Sequence, residues 1–140
     1  LDSPTAQHLA HLAKASPTPV LVNHIHLFSH AYAALRRELQ QHQEPLRAVL
    51  SEGGAFGPFR THTMPLWDWA PHDLSLCLDL FGGHEPTQVA ALAGPRSPFG
   101  GPEVAAVRLN FSAGTAWIQA GSLLAVKRRH LAVVTPSRVY

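Results

Sequence analysis

The sequence has 140 residues, 46% of them hydrophobic and 14% charged, with a formal net charge of +2 when histidine is neutral and a pI near 9.1. This supplies enough apolar material for one compact domain, but few charges to coat a free-standing surface, so part of the surface is expected to be hidden against a partner or another domain. Basic residues are scattered except at Lys127, Arg128 and Arg129, so no nucleic-acid stripe forms, and no apolar run approaches the ~20 residues that cross a bilayer.

The chain has one cysteine, Cys77, so no internal disulfide can form. This agrees with a reducing cytoplasm, and the first residues show no basic-then-apolar leader pattern. Cys77 sits among leucines and reads as a small buried hydrophobe. Ten histidines raise the question of a metal. His8 and His11 lie three apart on a predicted helix, and His24 and His26 share one face of a predicted strand. Neither pair makes a ligand set such as HExxH, and no metal is expected.

"SPTAQHLAHLAKA", 3–15, predicts a helix with Ser3 as cap and Pro4 at its first position. "PVLVNHIHLF", 19–28, is β-branched and apolar and predicts a strand. A second helix is expected over 29–41 with Ser29 as its cap, followed by a half-buried strand over 46–54 and a Gly/Pro loop. "PLWDWAPHDLSLCLDL", 65–80, contains a helix expected from Ala70 to Phe81, with Pro71 in its first turn, Leu74, Cys77, Leu78 and Phe81 facing inward, and "GG" ending it. Strands are then expected at 87–94, 103–111, 115–124 and 130–136. "SAG" makes a hairpin turn, and "SRVY" leads into one more strand. The later strands, adjacent in sequence, are expected to be antiparallel. The first helix lacks the strand expected before it, and strand 19–28 has no obvious parallel neighbour, so the chain reads as a fragment or as a portion completed by something else.

Asp68 and His72 are four apart and so share one side of a helix. With the helix starting near Ala70, Asp68 precedes it and His72 sits in its first turn. The electropositive helix end favours carboxylate at Asp68 and Asp73 and disfavours imidazolium at His72. A neutral imidazole can take a proton from a substrate hydroxyl as a general base. The alternative is structural, with Asp68 a cap and His72 filling the first turn. Trp67 and Trp69 flank Asp68 and could stack on a sugar ring or pack in a core. Lys127 and Arg129 alternate along a strand and so face one side, where they could contact an anionic substrate or form a solvated cluster.

"LWDWAPHDLSLCLDLFGGHEPTQVAA" resembles the D-x-x-x-H segment of the Gfo/Idh/MocA family of NAD(P)-dependent oxidoreductases, which act mostly on sugars, sugar nucleotides and polyols. Three other stretches agree in order. "HLAHLAKASPTPVLVNHIHLFSHAYAALRREL" is similar to the segment after that family's E-K-P motif. "VRLNFSAGTAWIQAGSLL" is similar to its strand–"f-x-x-G"–strand hairpin, and "LLAVKRRHLAVVTPSRVY" resembles "W-x-x-P-x-K-x-R-x-x-x-V-x-G-x-x-x-x-x-Y". The sequence departs from the family in lacking G-x-G-x-x-G and the lysine-bearing E-K-P. His30 stands where Pro is common, and "AGSLL" lacks the usual Trp.

The resemblance implies an α+β fold: an open, mainly antiparallel sheet with helices on one face, preceded by a helix–strand remnant of a Rossmann domain. Residues 1–28 would be the tail of that nucleotide-binding domain, and 29–140 a C-terminal α+β substrate-binding and oligomerisation domain, expected to be truncated at its C-terminal end. It further implies His72 as base, Asp68 orienting or binding substrate, and Trp67, His24, Lys127 and Arg129 as substrate contacts, with His24 and His26 near where the domains would meet. The substrate would be carbohydrate-like, and the complete protein would use NAD or NADP, with none bound by this portion. The sheet would pack against a second copy. A non-catalytic scaffold derived from the same family, and a His-rich metal-binding protein, are the competing readings.

Overall fold

The computed structural model describes residues 3–60, 62–98 and 100–140; expectations touching Leu1, Asp2, Thr61 and Phe99 lie outside the described residues. Helix α1 spans Ser3–Ala15 and buries none of its residues. Helix α2, His30–His42, starts as its sequence requires: the Ser29 hydroxyl accepts the Tyr32 backbone N–H at 3.2 Å. Strand β1 (Ala48–Phe56) is followed by helix α3 (Pro65–Leu80), β2 (Gln88–Ala93), β3 (Val104–Phe111), β4 (Gly114–Gly121) and β5 (Leu123–Val134). The β3–β4 pair closes at Ser112–Ala113 as the turn signal predicts.

The sheet order is β2-β3-β4-β1-β5. All neighbours are antiparallel except β1 and β4, which run parallel. The expectation of an α+β fold with an open, mainly antiparallel sheet holds. The sequence neighbours β4 and β5 do not pair, because β1 lies between them. The chain leaves the β4 ladder at Gly121 (φ +152°), where a Cβ would strike the Glu103 carbonyl, so glycine alone permits the close crossing. Ser122 then bridges both sides, donating its N–H to Glu103 at 2.7 Å and accepting from Gly57 N–H at 3.0 Å. The predicted break between strands at 124 and 130 is therefore absent, and β5 is one twelve-residue strand along the edge of β1. "SRVY" adds only an isolated bridge, Val134 to Val139.

Two further expectations are corrected. Residues 19–28 form no strand: 19–24 are irregular and Ile25–Phe28 is a 3₁₀ turn. A strand needs a partner for its N–H and C=O groups, and none lies beside this segment among the described residues. The expected helix–strand segment is thus a helix followed by irregular chain and a 3₁₀ turn. Helix α3 begins at Pro65, five residues earlier than Ala70, because Pro65 takes the first helical position where no N–H is needed. Pro71 lies inside the helix, where it cannot donate to the Trp67 carbonyl. Asp68 is therefore in the first turn, not ahead of it. The far end closes as expected, with Gly83 N–H on Leu78 O at 2.8 Å and both glycines at positive φ.

Alternation along the strands sends Val49, Ala116, Ile118 and Val133 to one face, where α3 covers them with Ala70, Cys77 and Phe81. Each fully buried valine or isoleucine side chain among them contributes about 1.5–3 kcal/mol. Phe81 stacks on Phe111 at 4.1 Å between centroids. The predicted inner face of α3 is rotated: Leu74 and Leu78 are only partly buried, and Asp73 is buried completely. Helix α2 docks on the same side, its Tyr32 hydroxyl donating to Asp79 at 2.6 Å. Among the described residues the opposite face carries no helix, and Leu50, Trp117 and Leu92 are exposed there.

Candidate functional site

The first turns of α3 meet the outer half of β5 over a cavity of about 580 Å³. Helix α3 contributes Asp68, Trp69 and His72, spaced so that one and four residues apart they share the helix end. Strand β5 contributes Lys127, Arg128 and Arg129, the loop after β1 contributes Pro58 and Arg60, and the 3₁₀ turn contributes His26.

Asp68 and His72 thus open on one cavity. Asp68 does not cap the helix; its carboxylate accepts from Arg60 Nε at 2.7 Å. The His72 ring meets the His26 ring edge-on, 5.0 Å between centroids at 81°. Its Nδ1 is buried with no hydrogen-bond partner among the described residues, so packing fixes the ring. Burial, then the Arg129 charge, hold the His72 imidazole below its ordinary pKa, against an upward pull from Asp73. Burial, then Arg129 and His72 itself, act the same way on His26. Both rings are held toward the uncharged form, and the leading cause is burial rather than the helix end invoked from sequence.

Beneath the cavity floor lies Asp73, fully buried, accepting from Ser51 Oγ at 2.6 Å and from Arg129 Nη1 at 2.6 Å. The Arg129 guanidinium carbon also lies 5.6 Å from the centre of the Trp69 ring. Arg128 is drawn aside to Glu52 at 3.1 Å. Lys127 has no carboxylate partner among the described residues.

Of the residues singled out by sequence, the structure brings together His26, Asp68, Trp69, His72, Lys127 and Arg129. Trp67 does not line this cavity and is half exposed; its neighbour Trp69 lines it instead. His24 lines a separate shallow hollow with Pro71, Leu74, Ser75 and Leu78, and His26 takes the place beside His72. The exchange follows from the missing strand: residues two apart share a face in a strand but are about 240° apart in a 3₁₀ turn. The sequence reading does not place Arg60 or Arg128 in the site, and takes Asp73 only as a carboxylate favoured by the helix end. Asp73 directly follows His72, but only its packing against β1 and β5 makes it part of the site.

Among the described residues no group of three or more His, Cys, Asp or Glu is arranged to hold a metal ion. Nor do the residues present fit a dinucleotide: the cavity offers no glycine-lined turn of backbone N–H groups for a pyrophosphate, and the sequence has no G-x-G-x-x-G. No helix among the described residues is long and apolar enough to cross a membrane.

The sequence matches no family model and no curated protein. It does match solved structures. A Magnetospirillum magnetotacticum MS-1 protein classed only generally, as an oxidoreductase, is 36% identical with a TM-score of 0.81, over 96% of this chain and 44% of that one. UDP-N-acetylglucosamine 3-dehydrogenase from Acidithiobacillus ferrooxidans is 24% identical with a TM-score of 0.78, over 97% of this chain and 44% of that one. Myo-inositol 2-dehydrogenase from Lactobacillus plantarum is 18% identical with a TM-score of 0.83, over 100% of this chain and 47% of that one. The last two share the fold. In each case the chain spans less than half of the other protein's length.

Proposed function

This chain has the fold of the C-terminal portion of Gfo/Idh/MocA-type oxidoreductases, and from that premise we propose that it forms the substrate side of the active site of an NAD(P)-dependent dehydrogenase acting on a carbohydrate-like hydroxyl. One observation carries the reading: Asp68 and His72 line the same cavity, with the imidazole held toward its neutral form. In this reading His72 accepts the proton of the substrate hydroxyl, and Asp68, steadied by Arg60, orients that hydroxyl. Lys127 and Arg129 form the far wall and meet polar or anionic substituents of the substrate. NAD or NADP, the redox cofactor such an enzyme requires, is held by residues other than these.

The division of the chain follows. Residues 1–28 are assigned to the nucleotide-binding domain and 29–140 to the substrate domain. Supporting this, α1 buries no residue of its own, and Leu9, Leu12, Val20, Leu21 and Val22 stand exposed as surfaces awaiting a covering. The bare sheet face is assigned to a second copy of the chain. Leu50 and Trp117 sit side by side in register there, 44% and 49% exposed. Sedimentation velocity tests this: Trp117→Glu should shift the protein toward monomer, and an unchanged sedimentation coefficient would refute it.

The decisive experiment uses the complete protein, screened against sugars, sugar nucleotides and polyols with each cofactor. In the active pairing, His72→Ala should lower kcat by roughly 100-fold or more while leaving cofactor affinity nearly unchanged. Undiminished turnover would remove His72 from the chemistry.

A further inference from the structure

We propose that Gly53, Asp73 and Arg129 form one positioning unit, in which the buried Asp73 carboxylate clamps the Arg129 guanidinium across the side-chain-free Gly53 so that its charge is fixed on the wall of the cavity lined by His26 and His72. The unit stands on packing alone; its bearing on catalysis rests on the proposed role of His72.

The geometry is specific. Gly53 and Arg129 are directly paired across the β1–β5 ladder, so both face α3. A Cβ at Gly53 would collide with Arg129 Nη1 and Asp73 Oδ2 and come within 2.9 Å of Arg129 Cζ. The ion pair therefore lies over the glycine, in the space a side chain would fill. Asp73 reaches it from α3 with 0% exposure, and Ser51, two residues along β1, takes its other oxygen at 2.6 Å. Trp69, one turn before Asp73, places its ring 5.6 Å from the guanidinium carbon. The guanidinium is thus held by a carboxylate and an aromatic face, above a slot in the sheet. Its remaining N–H donors are left for the cavity.

A buried ion pair is not needed for stability here, because packed hydrocarbon of similar volume does as well or better. What distinguishes this one is its location. Asp73 adjoins His72 in the chain, and Arg129 lines the same cavity as both imidazoles. The charged and titratable groups facing His72 are His26 from the 3₁₀ turn, His24 from the segment before it, Asp68 and Asp73 from its own helix, Arg60 from the loop after β1, and Lys127, Arg128 and Arg129 from β5. Both carboxylates are taken up by arginines, Asp68 by Arg60 and Asp73 by Arg129. A fixed guanidinium is therefore the dominant charge against imidazolium, which agrees with its downward effect on both rings.

The test is the titration of the His26 and His72 rings in the 140-residue chain, followed by NMR. Both should titrate below the ordinary histidine value in the unaltered chain. Arg129→Met should raise both midpoints, while Arg129→Lys, which keeps a charge, should move them less. Gly53→Ala retains every charge and displaces only the clamp; it should raise both midpoints, and unmoved midpoints would overturn the positioning claim. Should Arg129→Met fail to fold with Asp73 unpaired, the double variant Asp73→Asn/Arg129→Met removes both charges. His72 should still rise there, since Arg129 outweighs Asp73 at that ring; an unmoved His72 would overturn the proposal. The readout is independent of activity. Raised midpoints together with full turnover after His72→Ala would sink the dehydrogenase reading and leave the unit standing. Unmoved midpoints together with lost turnover would do the reverse.

Discussion

Replacing Gly53 with alanine adds one methyl group and should destabilise the chain, although Gly→Ala within a strand ordinarily does the opposite. The added carbon falls onto Arg129 Nη1 and Asp73 Oδ2. Relief can come by two routes. If β1 shifts to make room, the overpacking costs about 1–3 kcal/mol. If the ion pair opens, the fully buried Asp73 loses its cation, a loss of about 3–5 kcal/mol for a wholly buried pair. Arg129 is 27% exposed, so water reaches its side and softens that route. Opposing either is the smaller unfolded-state entropy of alanine, about 0.4–1 kcal/mol. The cheaper route leaves a net loss between about 0 and 2.6 kcal/mol, centred near 1.3 kcal/mol. Urea unfolding followed by tryptophan fluorescence reads this directly, since Trp69 lies beside Arg129. With a slope of about 1–3 kcal/mol/M, a loss near 1.3 kcal/mol lowers the midpoint by roughly 0.4–1.3 M at unchanged slope. In the double variant Gly53→Ala/Arg129→Met the combined loss should fall short of the sum of the two single losses by about 1 kcal/mol. A midpoint that rises in Gly53→Ala would show that the slot has room to spare and that no clamp exists.

Stability should also depend on pH through the two imidazoles. In the unfolded chain they take a proton near pH 6.5, but in the folded chain only at lower pH. Between those values the unfolded state binds more protons, so this contribution is complete above about pH 7 and is lost as pH falls below 6.5 toward the folded values. Urea midpoints between pH 5 and 8 check it, and His72→Gln should flatten the profile. Ile118→Ala, at a site 2% exposed beneath α3, should cost about 2–5 kcal/mol, measured by the same unfolding; a loss under 1 kcal/mol would mean that α3 does not seal this face. Cys77 is wholly buried, and that burial pushes its thiol up to about 12. Iodoacetamide should therefore label it only at the rate of opening, and fast labelling of native chain at pH 8 would contradict the packing.

Locally encoded features were legible in the sequence alone. Ser29 marks the start of α2 because a hydroxyl before a helical run satisfies a free N–H wherever the helix goes. The Gly82–Gly83 stop of α3 and the Ser112–Ala113 turn follow from backbone angles. The order of motifs around Asp68 and His72 pointed to the α+β fold. Local signals misled where two rules competed: Pro65 and Pro71 both suit a helix start, and only packing shows that the helix passes through Pro71.

Tertiary structure decided what depends on partners distant in the chain. An apolar, β-branched run such as 19–24 becomes a strand only where another edge receives its hydrogen bonds. The insertion of β1 between β4 and β5 leaves no trace in a two-residue period, because alternation encodes which face a residue takes and not which strand lies beside it. The same limit hid the clamp. Gly53, Asp73 and Arg129 lie in three separate elements, and the register of β1 on β5, with the rotation of α3 above them, is what brings a carboxylate and a guanidinium together over a strand position that has no side chain.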